Sequence, residues 1–153
     1  MISKVPLTLL CSAVLAYACG PRARNEAISR DEPARTRIEG SPLATSFDVS
    51  VDGEVKFAFA ITNAGKKKLE VNFADGRTHD VVVLDSLGRE VWRWSEGRMF
   101  TQAMQNRVLR QSDVLEYEES WEPTAPGRYV AVATLVSANY PATERREFVV
   151  PKM

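Results

Sequence analysis

The sequence predicts an all-β fold, an antiparallel β-sandwich of immunoglobulin-like topology with roughly seven to nine short strands. Three observations carry this. From Ser46 onward, apolar residues recur with a period of two. Asp-Gly, Asn-Ala-Gly and Pro-Gly turn signals punctuate the chain about every eight to twelve residues. No helical 3.6-residue period outlasts a turn or two. A small closed barrel is the second topology the pattern allows, because alternation alone does not separate two packed sheets from one closed sheet.

The N-terminus stands outside this pattern. MISKVPLTLLCSAVLAYACG carries one cation, Lys4, then an apolar run from Val5 to Ala18, and closes on small residues. It reads as a secretory signal over residues 1–18. Leu15-Ala16-Tyr17-Ala18-Cys19 resembles a bacterial lipobox, with Ala16 where the motif prefers leucine, and predicts lipid attachment at Cys19. The alternative is a signal cut elsewhere. Cys11 would leave with the signal, so the mature chain is expected to hold no disulfide, cysteine metal site or cysteine nucleophile. Residues 19–45 are rich in Pro, Arg, Glu, Ser and Gly, and form a tether whose ends would lie about 25–30 Å apart. The sandwich is expected over residues 46–151.

Within it the strands follow in order. SFDVSV places Phe47, Val49 and Val51 on one face; Asp52-Gly53 turns the chain; EVKFAFAITN places Val55, Phe57, Phe59 and Ile61 together. After Asn63-Ala64-Gly65 and a lysine loop, LEVNF alternates Leu69, Val71 and Phe73 against polar residues. Asp75-Gly76 turns again, and HDVVVLD is a nearly continuous apolar run leading through Ser86-Leu87-Gly88 to REVWRWS. QAMQNRVL is the one candidate for a short helix. VLEYEESW alternates Leu115 and Tyr117 with acids that read as a solvated face. GRYVAVATLV aligns Tyr129, Ala131, Ala133 and Leu135, and REFVV closes the fold. Tyr129, just after Pro126-Gly127, is either a sandwich corner tyrosine or a plain half-buried strand aromatic.

Lys and Arg together number 20 and Asp and Glu 20, so the formal net charge is zero. That balance argues against nucleic acid as the main partner. The only histidine, His79, has no Gly-x-Ser-x-Gly elbow to accompany it and no second histidine at metal-ligand spacing, so a structural role is expected. Neither a calcium loop nor a phosphate-cradling glycine loop is present. No enzyme activity, cofactor or metal is expected.

Trp92 and Trp94 lie two apart on one strand and so share a face. Val91 before them and Met99-Phe100 after them favour a core pair over a carbohydrate platform. Trp92 is expected deep in the core and Trp94 near the rim, its indole N–H seeking a partner, with Arg93 on the other face.

Residues 57–104 closely resemble the intracellular proteinase inhibitor (BsuPI) domain. The matching pieces are Thr62-Asn63, Leu69-Glu70-Val71-Asn72-Phe73, Asp75-Gly76, Asp80, the run Gly88-Arg89-Glu90-Val91-Trp92-Arg93-Trp94-Ser95, Gly97, and Phe100-Thr101-Gln102-Ala103. Trp121 and Pro126-Gly127-Arg128-Tyr129 extend the similarity to about residues 46–150. The resemblance implies a β-sandwich module that inhibits serine proteinases, with Asn63, Phe73, Asp80, Trp92, Trp94, Phe100, Gln102 and Trp121 as its structural signature.

Two loops are the candidate recognition elements. Ser95-Glu96-Gly97-Arg98-Met99 offers Arg98 and Met99 to a protease cleft, and Asp75-Gly76-Arg77 offers Arg77; both are also compatible with plain turns. The expected partner is a protein, by the resemblance a serine protease, met on the export side because the N-terminus directs secretion. The alternative is a non-catalytic adhesion or assembly module of the cell envelope. Either would be held to the membrane only through lipid on Cys19, and Gly20 after that cysteine favours the outer membrane in a cell that has one.

Overall fold

The computed structural model describes residues 35–37 and 39–152. The signal segment 1–18, Cys19 and the tether up to residue 34 lie outside the described residues. The described chain forms ten strands and no helix: β1 (Thr36–Arg37), β2 (Leu43–Asp52), β3 (Glu54–Asn63), β4 (Leu69–Phe73), β5 (His79–Asp85), β6 (Glu90–Arg93), β7 (Gln105–Leu109), β8 (Val114–Trp121), β9 (Gly127–Leu135) and β10 (Ala142–Val150). Two four-stranded sheets, ordered β1-β2-β3-β8 and β10-β9-β5-β6, make the sandwich, and β4 and β7 form a separate two-stranded ribbon. Every pairing is antiparallel.

The period-two faces become the core. Phe47, Val55, Phe57, Phe59 and Ile61 from one sheet are fully buried against Val81, Val83, Ala131, Ala133 and Leu135 of the other. Burying each large side chain contributes about 1.5–3 kcal/mol. The rings interlock: Phe57 meets Phe148 edge-on at 6.2 Å, and Phe47 meets Phe59 at 5.9 Å. Gly53, with φ of +76°, closes the β2–β3 hairpin where a side chain would be strained.

Burial begins before Ser46. Leu43, Ala44 and Thr45 are buried at the start of β2, because this half of the strand faces β10 as well as β3. Arg146 of β10 donates from Nε to Phe47 O at 2.7 Å, and Thr45 Oγ1 hydrogen-bonds Glu144. These inward-pointing charges occupy the seam between the two sheets and blunt the β10 edge.

Two polar residues fix the turns. Asn63, fully buried, donates from Nδ2 to Lys67 O and Leu109 O and accepts at Oδ1 from the Gly65 N–H, tying the β3–β4 turn to the end of β7. Tyr129 donates from its hydroxyl to Ala125 O at 2.8 Å, the bond to upstream backbone that marks a corner tyrosine.

Three local expectations are corrected. The helix candidate QAMQNRVL contains strand β7, because Asn106 bonds across to Asn72 and Glu70 on β4, and this pairing overrides the weak helical spacing. Trp92 is only partly buried. Strand β6 is short and lies at a sheet edge, with an irregularity opposite Val83 and Leu84, so Trp92 lies over Phe57 (5.7 Å) and Trp121 (6.4 Å) without being enclosed. Glu119 faces inward rather than to solvent; its side chain is 17% exposed.

Candidate functional site

Both candidate loops converge on one surface. Loop 74–78 joins β4 to β5, and loop 94–104 joins β6 to β7. Within the first, Asp75 Oδ1 accepts the Arg77 N–H at 2.8 Å, a local turn typical of aspartate. The Gly76 N–H then donates to Thr101 O at 2.8 Å, joining the two loops. A methyl group on Gly76 would stand 2.7 Å from Thr101 Oγ1 and 3.0 Å from Thr101 N, so the contact requires glycine. The loops enclose an open hollow of about 490 Å³ lined by Asp75, Arg77, Ser95, Arg98, Met99, Phe100 and Gln102.

The longer loop is held at successive points. At its start, Asp80, nearly fully buried, accepts four bonds: Oδ1 from the Val81 N–H (3.0 Å) and the Ser95 N–H (3.2 Å), Oδ2 from Arg93 Nη1 (2.9 Å) and the Ser95 hydroxyl (2.8 Å). Arg93 also bonds Glu90, and the two carboxylates hold its guanidinium firmly charged. Ser95–Arg98 is a tight turn closed by the Arg98 N–H on Ser95 O at 3.3 Å, with Gly97 supplying the positive φ (+71°) that a type II turn demands at its third residue.

Past the turn, Arg98 folds back. Its Nε donates to Trp94 O at 2.8 Å, its guanidinium lies 4.5 Å from the Trp94 ring centroid, and Nη2 stands 4.0 Å from Glu119 Oε2. Phe100, half-buried, also packs against Trp94, its ring tilted at 5.5 Å. Between these two anchored residues Met99 is 97% exposed. Gln102 is exposed and makes only a long bond to Phe100 O.

Beneath the loop lies an aromatic stack that spacing alone did not reveal. The His79 ring is sandwiched between Trp94 (4.1 Å) and Tyr117 (4.0 Å), and Tyr117 stacks in turn on Phe59. His79 Nε2 bonds Glu119 Oε1 at 2.9 Å; with a carboxylate there, Nε2 is assigned the proton and Nδ1 a buried lone pair without a partner. Burial pushes the imidazole below its ordinary value, against the opposing pull of Glu119 and, more weakly, Asp80; Arg98 adds to the lowering. Burial likewise raises Tyr117, offset in part by its bond to Thr78 and by the charge of Arg107. The Trp94 indole N–H, expected to find a partner, is buried without one.

The remaining signature residues are scaffold. Phe73 and Trp121 are buried in the core and Asn63 holds its turn. Ser95 and His79 are served by different acids, Asp80 and Glu119, so the geometry forms no nucleophile–base pair between them. Among the described residues no cluster of His, Cys, Asp and Glu could hold a metal ion.

Sequence reading missed Asp80 as the loop's anchor and Glu119 as the partner of His79. For Glu119 a signal existed: Leu115, Tyr117, Glu119 and Trp121 share one face of β8 by simple alternation.

Comparison with known proteins adds a family. The family model described as BsuPI, intracellular proteinase inhibitor, matches residues 43–140, from the first residue of β2 through the turn after β9. No curated protein matches the sequence. Among solved structures, similarity extends to a β-glucosidase from Erythrobacter marinus at 15% identity, over 69% of this chain and 15% of that one, with a TM-score of 0.35. The GAE domain of GGA2p from Saccharomyces cerevisiae is similar at 15% identity, over 79% of this chain and 100% of that one, with a TM-score of 0.25. The chain thus spans only a small part of the glucosidase's length.

Proposed function

We propose, given that this chain belongs to the intracellular proteinase inhibitor (BsuPI) family, that it inhibits a serine protease by offering the tip of loop 94–104 to the protease cleft. Met99 is the side chain that enters the specificity pocket, and loop 74–78 braces it. The observation that carries this reading is the contrast within the loop: Ser95, Arg98, Phe100 and Thr101 are each tied down, while Met99 is 97% exposed. A loop ordered before binding loses little conformational entropy when it docks. Arg98, the other side chain in position to serve, is engaged with Trp94, so the cleft best matched has a deep apolar pocket for an unbranched side chain.

The N-terminal reading places this activity on the export side of a membrane, with lipid on Cys19 and the tether carrying the domain to a protease of the cell envelope.

The test is titration of the chain against serine proteases with differing pocket chemistry, in parallel with Met99→Ala. Burying a methionine contributes about 1.5–3 kcal/mol, so the variant should inhibit roughly 10- to 150-fold more weakly. Equal inhibition by the variant, or rapid cleavage after Met99 as in an unstructured peptide, overturns the reading. Failure to inhibit any protease, with capture of a non-protease envelope protein, replaces it with the adhesion module.

A further inference from the structure

We propose that Met99 is also an oxidation site through which peroxide switches the loop off, an inference that rests on the docking role just given to that residue. The described residues hold no cysteine and two methionines, so the sulfur of the described domain consists of Met99 and Met104. Both lie in one loop, five positions apart, and they are 97% and 83% exposed. No ring, hydrogen bond or packed neighbour shelters the Met99 thioether, while the adjacent Phe100 is half-buried on Trp94. The side chains most reactive toward a peroxide therefore sit in this exposed loop, not in the core, and of the two only Met99 lines the hollow between the candidate loops.

The chemistry is a two-electron oxygen transfer. The sulfur lone pair attacks one oxygen of hydrogen peroxide, an S–O bond forms as the O–O bond breaks, and the departing hydroxide takes up the proton left on the transferred oxygen to give water. Sulfur is oxidised and peroxide reduced. Reversal by a methionine sulfoxide reductase removes that oxygen as water and oxidises two thiols to a disulfide.

The product changes the loop without unfolding it, because the Met99 side chain supports nothing in the sandwich. An apolar tip becomes a strongly polar one. Inside an apolar pocket the sulfoxide oxygen lacks a donor, and the unsatisfied group should weaken docking by about tenfold to a hundredfold. Exposed methionine at the tip thereby couples inhibition to the oxidant level around the protein, releasing the protease when peroxide rises.

The experiment treats the whole chain with hydrogen peroxide and follows two readouts at each time point. Peptide mass spectrometry gives the fraction of Met99 and of Met104 carrying one added oxygen, and titration against the inhibited protease gives the inhibition constant. The constant should rise about tenfold or more in step with oxygen on Met99, and sulfoxide reductases with a thiol reductant should restore it. Met104→Leu should switch as the parent does. Met99→Leu, from whatever constant it starts, should show a ratio near one before and after peroxide. Full oxidation at Met99 with unchanged inhibition overturns the switch and leaves the docking role standing, as does a loss that tracks Met104. If the untreated chain inhibits nothing, the docking role fails first and takes the switch with it.

Discussion

Replacing Asp80 with asparagine removes the charge at the loop's anchor while keeping the side chain's shape. The carboxylate accepts four bonds, two on each oxygen. Asparagine keeps one oxygen, and the best fit turns it toward the two backbone N–H groups of Val81 and Ser95. Its amide nitrogen then meets Arg93 Nη1, donor against donor, while the Ser95 hydroxyl can rotate to accept. The net loss is one charge-assisted bond, ordinarily about 1.5–3 kcal/mol. Arg93 is 37% exposed and keeps Glu90, so solvent screening favours the lower end, about 2 kcal/mol. For a domain of this size that is a fall in Tm of roughly 6–10 °C. Thermal unfolding of the parent, Asp80→Asn, Ser95→Ala and the double variant measures it. Because both single changes act on the same carboxylate, the double variant should lose clearly less than their sum. A shift under about 2 °C for Asp80→Asn, or strict additivity, would refute the account of Asp80 as the anchor.

Two further outcomes follow from the site. His79 has its pKa lowered below 6.5 in the folded state, so the unfolded chain binds this proton first; its contribution is fully present above pH 6.5 and lost as pH falls toward the lowered value. Urea unfolding should show stability declining by up to about 1.4 kcal/mol per pH unit below that point, a slope absent in His79→Gln; equal slopes would sink the assignment. Gly76→Ala should part the two loops at the Thr101 contact, weakening inhibition with a Tm change of a few degrees, and Thr101→Ala should recover some of the loss by removing the closest atom; unaltered inhibition by Gly76→Ala would mean that loop 74–78 braces nothing.

The frame of the fold was legible because its strands are long enough to show period two. Val55, Phe57, Phe59 and Ile61, or Tyr129, Ala131, Ala133 and Leu135, repeat the pattern four times, and each set is buried as a face. Strand β7 was not legible: three of its five residues are exposed, and its conformation comes from bonds to β4 more than thirty residues earlier. The loops were legible as turns from Asp75-Gly76 and Gly97, but their convergence was not, since the Gly76–Thr101 bond joins segments that no local signal relates. Asp80 illustrates the harder limit. Its neighbours Val82 and Leu84 on the same face are half-exposed, and Asp80 is buried only because Arg93 and Ser95 cover it from the adjoining segment.

That geometry also decides which substitutions can separate fold from function. Asp80, Trp94 and Phe100 hold the loop and pack into the sandwich at once, so weakened inhibition in their variants has two causes that a binding assay cannot tell apart. Arg98 is bound to Trp94 and near Glu119, and its removal would disturb the stack around His79 as well. Met99 alone among these loop residues is both central to the surface and nearly free of contacts. Its truncation should leave Tm within about 2 °C of the parent, as for ordinary surface changes. A drop in inhibition at constant Tm then locates the docking contact at the tip, whereas a constant inhibition at constant Tm moves it elsewhere on the domain.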